Sequence, residues 1–300
     1  MISGRVIEEQ KNYFLVYTSQ GVFRSGIKGT LKKTKTRVCV GDLVQINITS
    51  DNPPEGLITD IEKRSSFIHR PALANITQIL FITTFKSPNL DLEALDRMLF
   101  TSEVYGIRPV IVFNKVDLLD SSELSATDAI IDIYNKCGYL TLKTSAQVNY
   151  AIDELGAICK NEISAFSGLS GVGKSTLLSK LFPDKSFKIG EVSGNTGRGT
   201  HTTTNIVLHP YTADSYIADT PGISFVNIPS IQEEGVVSCF PEIAAYTGKC
   251  RFNNCIHNGE PGCLVQEQIE LKEIAIFRQE HYLKIYNEMK TIRKQYRKNF

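Results

Sequence analysis

The chain has no excess of charge of either sign. Its 33 Lys and Arg stand against 32 Asp and Glu, a formal net charge of +1 over 300 residues. That balance gives no whole-chain case for nucleic acid, so any basic surface must be local. The opening stretch, Met1 to Gln10, carries Arg5, Glu8 and Glu9 and lacks the apolar core of a secretory leader. No run reaches the length of a membrane span, so a cytoplasmic chain with no membrane partner is expected. Internal repeats and low-complexity tracts are also absent. In a reducing compartment the seven cysteines point to metal or packing rather than to disulfides.

What is present describes a soluble globular protein: 42% hydrophobic and 22% charged residues. Its length predicts two or three domains. In the first seventy residues, segments 4–9, 12–19, 21–27, 41–48 and 56–62 partly alternate apolar with polar residues and favour β-formers. Five short strands without intervening helices predict a small closed barrel such as an OB-fold. Segment 63–71, ending at Pro71, reads as an exit linker. The texture then changes. Continuous apolar runs at 76–85 and 108–114 predict strands buried on both faces. Further strands are expected at 139–145, 162–168, 204–209 and 215–219. Helices are expected at 91–106, with Asp91 as cap, and at 127–138 and 150–160. Such alternation predicts an α/β domain built on a mainly parallel sheet. One or two helices are expected in 265–298.

"GLSGVGKS" at 168–175 fits the phosphate-binding loop and sits between a strand and a helix, as that motif requires. Gly168, Leu169, Ser170, Gly171, Val172 and Gly173 would turn consecutive amides onto phosphate oxygens. Lys174 would bridge the terminal phosphates, and Ser175, followed by Thr176, would join the Mg²⁺ shell. "NKVD" at 114–117 ends a buried strand, at the edge where α/β sheets bind ligands. Asp117 can accept from both guanine N1–H and the exocyclic amine, a donor pair that adenine lacks. Asn114 is placed at the other edge of the base and the stem of Lys115 along its ring. Ser145 and Ala146, in "TSA", form the supporting loop. "DTPG" at 219–222 offers Asp219 to Mg²⁺ through water and the Gly222 amide to the γ-phosphate. Between these lies the threonine-rich 193–205. One of Thr202, Thr203 and Thr204 would contribute to Mg²⁺, with Thr203 as the working candidate.

The order of these motifs is rotated relative to an ordinary GTP-binding domain: the base-reading half precedes the phosphate loop. Since domain termini often lie close together, such a permutation can keep every strand in place. Cys250, Cys255, His257 and Cys263 supply a further feature, three thiolates and one imidazole that complete a tetrahedral structural Zn²⁺ shell. Cys39, Cys137, Cys159 and Cys239 read as packing residues. Basic runs at 28–37 and 290–298 would contact phosphate beside a barrel and a zinc module.

On these motifs, the permuted order and the cysteine cluster, the sequence resembles the circularly permuted GTPases of the ribosome small-subunit-dependent GTPase A type over essentially its whole length. The resemblance implies an α/β architecture in three parts: an N-terminal OB-fold β-barrel (1–69), a circularly permuted P-loop GTPase domain (70–228) and a C-terminal zinc-binding helical module (229–300). It implies GTP/GDP as ligands, Mg²⁺ and one Zn²⁺ as cofactors, and the small ribosomal subunit with its rRNA as partner to a monomeric chain. Ile223 stands where many GTPases carry a water-positioning glutamine, which leaves His201, before the threonines, as the candidate for that task. Two other readings differ in class. One is an RNA-binding assembly factor in which GTP is only a conformational ligand; the other is a P-loop ATPase or kinase.

Overall fold

Period-two alternation in the first sixty residues folds as expected into five strands: β1 (Ile2–Glu9), β2 (Phe14–Thr18), β3 (Gly21–Ile27), β4 (Leu43–Asp51) and β5 (Pro54–Ile61). The computed structural model describes residues 1–29, 31, 37–69, 71–185, 187, 206–219 and 228–298, with side chains as far as residue 293. The strands pair in the order β1-β2-β3-β5-β4, and β4 pairs back onto β1 to close a barrel. β3 and β5 run parallel. Val6, Val16, Phe23, Val44, Ile46 and Ile58 point inward and fill it.

The segment expected as an exit linker is a hairpin instead. β6 (Phe67–His69) pairs with β7 (Ala72–Ala74), and Ile68 and Leu73 are fully buried. The Ala74 amide donates to Val40 O at 2.9 Å, and Asn75 Nδ2 donates to Gly41 O at 3.1 Å. This stretch is therefore a packed joint between barrel and sheet. Strands of three residues leave no periodic trace in a sequence, so this stretch carries only the polar and proline signals of a linker.

Beyond the joint stand β8 (Gln78–Thr84), β9 (Arg108–Asn114), β10 (Leu140–Lys143), β11 (Ile163–Ser167), β12 (Val207–Thr212) and β13 (Ser215–Asp219). Their order is β10-β9-β8-β11-β13-β12, parallel except for β12. Alternate strand residues face opposite ways. Ile79, Phe81, Ile111 and Phe113 meet α1 (Leu92–Val104) and α2 (Ser121–Lys136). Leu80, Ile82, Val110 and Val112 meet α3 (Ile152–Ile158) and α4 (Lys174–Leu181). Asp91 caps α1 as expected. α2 starts earlier than expected, at Ser121, because Asp120 and Glu123 form a reciprocal capping box ahead of the apolar positions.

The C-terminal part holds α5 (Pro241–Ala244), α6 (Leu264–Glu270) and α7 (Ile276–Lys298). Phe240, Val265, Tyr282 and Ile285 pack against Phe100 on the outer side of α1. That helix thus lies between the sheet and the C-terminal module. Among the described residues no helix is long and apolar enough to cross a membrane.

Candidate nucleotide pocket and metal centre

Both base-side loops and the phosphate loop emerge at the same edge of the sheet, because β8, β9, β10, β11 and β13 run parallel. At the turn from β11 to α4 the backbone passes so close to its neighbours that a Cβ would not fit. One on Gly168 would lie 2.2 Å from Ile82 O; one on Gly173 would lie 2.5 Å from Asn114 Nδ2. Both residues also have positive φ, which glycine adopts without strain.

Asn114 occupies the space that Gly173 leaves. Its Nδ2 donates to Val172 O at 2.9 Å, and its Oδ1 accepts from Thr144 Oγ1 at 3.2 Å. Asn114 thus acts as a strut joining three loops at the base-side end of the pocket. Lys115 adopts a left-handed conformation, and its ammonium donates to Gly171 O at 2.6 Å. Exposed Asp117 accepts from the buried Ser145 hydroxyl, and the Ser145 hydroxyl oxygen in turn accepts from the Val148 amide at 3.3 Å. Ala146 is buried beneath this loop. One Asp117 oxygen is thereby oriented while the side chain stays open to a ligand.

Lys174 begins α4 and folds back into the loop, donating to Gly168 O at 2.7 Å and Leu169 O at 2.9 Å. Burial lowers its pKa, while the charge of Asp219 opposes that shift. Asp219 responds in mirror fashion: burial raises its pKa and Lys174 lowers it. The two charges face one another across the phosphate end of the pocket. Ser175 and Thr176 lie half-buried in the first turn of α4. Thr203, Gly222, Ile223 and His201 fall outside the described residues, as do Thr202, Thr204 and most of the basic run 28–37.

In the C-terminal module Cys250, Cys255, His257 and Cys263 place their ligating atoms within 4.8 Å of one another. His257 Nδ1 lies 3.6, 3.7 and 3.5 Å from the sulfurs of Cys250, Cys255 and Cys263. Tetrahedral zinc, with its usual bond lengths to sulfur and nitrogen, sets such pairs about 3.6 Å apart. The donor set therefore fits a metal ion without rearrangement. Glu260, which carries no motif signal, shapes the ligand loop: its carboxylate accepts from the amides of Ile256 at 2.9 Å and Asn258 at 2.6 Å. From α7, Gln279 Nε2 donates to His257 O at 2.6 Å.

The remaining cysteines are all buried. Burial pushes the thiols of Cys39, Cys137 and Cys159 up to about 12 and that of Cys239 up to about 11, so thiolate is scarce at neutral pH. Metal-loaded protein is therefore expected to react slowly with a thiol reagent at pH 7.5. Chelation should release the metal and expose Cys250, Cys255 and Cys263 together. If Cys255→Ser retains full metal content, this ligand set is wrong.

β9 and β10 come early in the chain yet lie beyond β8 from the phosphate-loop strand. Such a site belongs to the P-loop class in its circularly permuted GTPase form. The chain belongs to the RsgA GTPase family: that family's model matches residues 61–229, and the model of the RsgA N-terminal domain matches 3–58. A relative from Moorella thermoacetica, named small ribosomal subunit biogenesis GTPase RsgA, is 37% identical over 94% of this chain and 95% of its own. The namesake from Geobacillus kaustophilus is 35% identical over 99% of this chain and 100% of its own. Among solved structures, YjeQ from Thermotoga maritima superimposes with a TM-score of 0.81 at 31% identity, over 96% of this chain and 98% of that one. YloQ, described as a circularly permuted GTPase, gives 0.80 at 27% identity, over 97% and 96%.

Proposed function

We propose that this chain hydrolyses GTP while bound to the small ribosomal subunit, late in that particle's maturation. The observation that carries the reading is the strut at Asn114. It joins the base-side loops to the phosphate loop although they lie 58 residues apart in the reverse of the ordinary order. The names of the relatives support the choice of partner. In this reading residues 1–69 and 229–300 form the barrel and the zinc module that contact rRNA, and 70–228 form the GTPase domain. The chain works as a cytoplasmic monomer with one structural Zn²⁺ on Cys250, Cys255, His257 and Cys263. Ser175, Thr203 and Asp219 would hold the Mg²⁺ that accompanies GTP, and that ion would neutralise phosphate charge.

Asp117 selects guanine, oriented by Ser145. Asp117→Asn replaces an acceptor facing the ring by a donor and is expected to shift preference from GTP towards XTP. An unaltered ratio of the two affinities would remove Asp117 from the base site. His201 positions the attacking water, and subunit binding brings it into place. Turnover is measured with and without purified small subunits, for the unaltered chain and for His201→Ala. The expected result is low intrinsic turnover, strong stimulation by subunits, and loss of that stimulation in the variant with GTP affinity retained. Unchanged hydrolysis on adding subunits that do bind would favour GTP as a conformational ligand only.

A further inference from the structure

Five consecutive residues that belong to no GTPase motif grip the base-reading turn from all sides. Thr84 ends β8, and its buried hydroxyl donates to Pro88 O at 2.6 Å, closing the loop on itself. Phe85 stacks on Phe113, the residue before Asn114, with ring centroids 4.9 Å apart and planes at 11°. Lys86 reaches past the turn to Glu123 Oε2 at 2.6 Å, and Glu123 itself caps α2. Ser87, at φ 54°, presents its carbonyl to the Lys115 ammonium at 2.5 Å. Pro88 lies against the phosphate loop, its Cδ 3.7 Å from where a Cβ of Gly171 would be.

We propose that the loop 84–88 is the positioning element of the guanine site, and that it acts through Lys115. A lysine stem loses much rotamer entropy on being ordered. With the ammonium held between Ser87 O and Gly171 O, that ordering is complete before the ligand arrives. The stem then offers a fixed apolar rail for one face of the base. Without Ser87 O the ammonium keeps one carbonyl and the rail loosens. The inference rests on the guanine reading of the pocket.

The test is release of fluorescent GDP from the full chain. Ser87→Val is chosen because a β-branched residue resists positive φ and turns the carbonyl away. Thr84→Val, which keeps the side-chain shape and removes the clasp on Pro88, serves as the second variant. Both are expected to speed release about tenfold, as for loss of one hydrogen bond to a charged group. Ser87→Gly, which tolerates the left-handed backbone, should restore slow release. In a Lys115→Ala background the added effect of either valine variant should shrink to less than about twofold, because coupled residues are non-additive. Melting temperature is recorded for each variant. Multiplicative effects in the double variants, or normal release in both valine variants, would overturn the proposal while leaving the guanine site standing. Failure of the unaltered chain to bind fluorescent GDP would remove both.

Discussion

Lys174→Ala is expected to lower GTP turnover by about a hundred- to a thousandfold, the usual loss when one preorganised donor to developing phosphate charge is removed. The Lys174 ammonium lies inside the phosphate loop, held by the carbonyls of Gly168 and Leu169 at 2.7 and 2.9 Å. Burial lowers its pKa, so the cation is costly there until opposite charge arrives. Phosphate oxygens supply that charge and replace two neutral carbonyl dipoles. The gain grows further as charge moves onto the transferred phosphoryl group. Alanine gives up this differential. The loop itself should survive, since Gly168, Gly173 and the bond from Asn114 to Val172 shape it without Lys174. Phosphate release under saturating GTP, together with an unchanged melting curve, is the measurement. Turnover within about tenfold of the unaltered chain would overturn the phosphate role.

Much of this pocket was legible because its chemistry is local. A glycine-lysine-serine run between an apolar strand and a helix names its own fold context, and β9 and β13 match their expected bounds to the residue. The four candidate metal ligands lie within fourteen residues, so their spacing could be read directly. Other features leave no such trace. Ser87 acts through a carbonyl, which every residue possesses, and only a left-handed backbone aims it at Lys115. The motif at Asn114 gives no hint of its strut role, because Gly173, 59 positions later, opens the space its amide fills. The hairpin β6–β7 is too short for periodicity, and its burial depends on Val40 and Gly41, far back in the barrel. Pairings of that range become visible only once the chain is folded.

One of still longer range supports the second large effect. Asp96→Ala is expected to destabilise the attachment of the C-terminal module by about 3–5 kcal/mol, the cost of removing one partner from a buried ion pair. Asp96 lies in α1 and Arg278 in α7, 182 positions apart; they are 0% and 1% exposed. One oxygen of Asp96 accepts from Arg278 NH1 at 2.5 Å and from Tyr134 OH at 2.8 Å. The other meets His281 Nδ1 at 2.6 Å. Arg278 also donates through Nε to Glu242 at 2.7 Å, and its guanidinium lies 4.8 Å from the Phe240 ring centroid. Around this core run half-exposed pairs, Arg97–Glu288 and Lys284–Glu93. Such pairs are worth about 0–1 kcal/mol each and cannot compensate. Alanine favours helix more than aspartate does, so any loss must come from the stranded charges and not from α1 itself. Replacing the charged partners together removes the charge problem, and Asp96→Ala with Arg278→Met and Glu242→Gln should therefore recover most of the loss. Urea titration, followed by metal release as well as ellipticity, distinguishes the outcomes. A single variant within about 1 kcal/mol of the unaltered chain, or a triple variant no better than the single, would show that α1 and α7 are held by their apolar contacts instead.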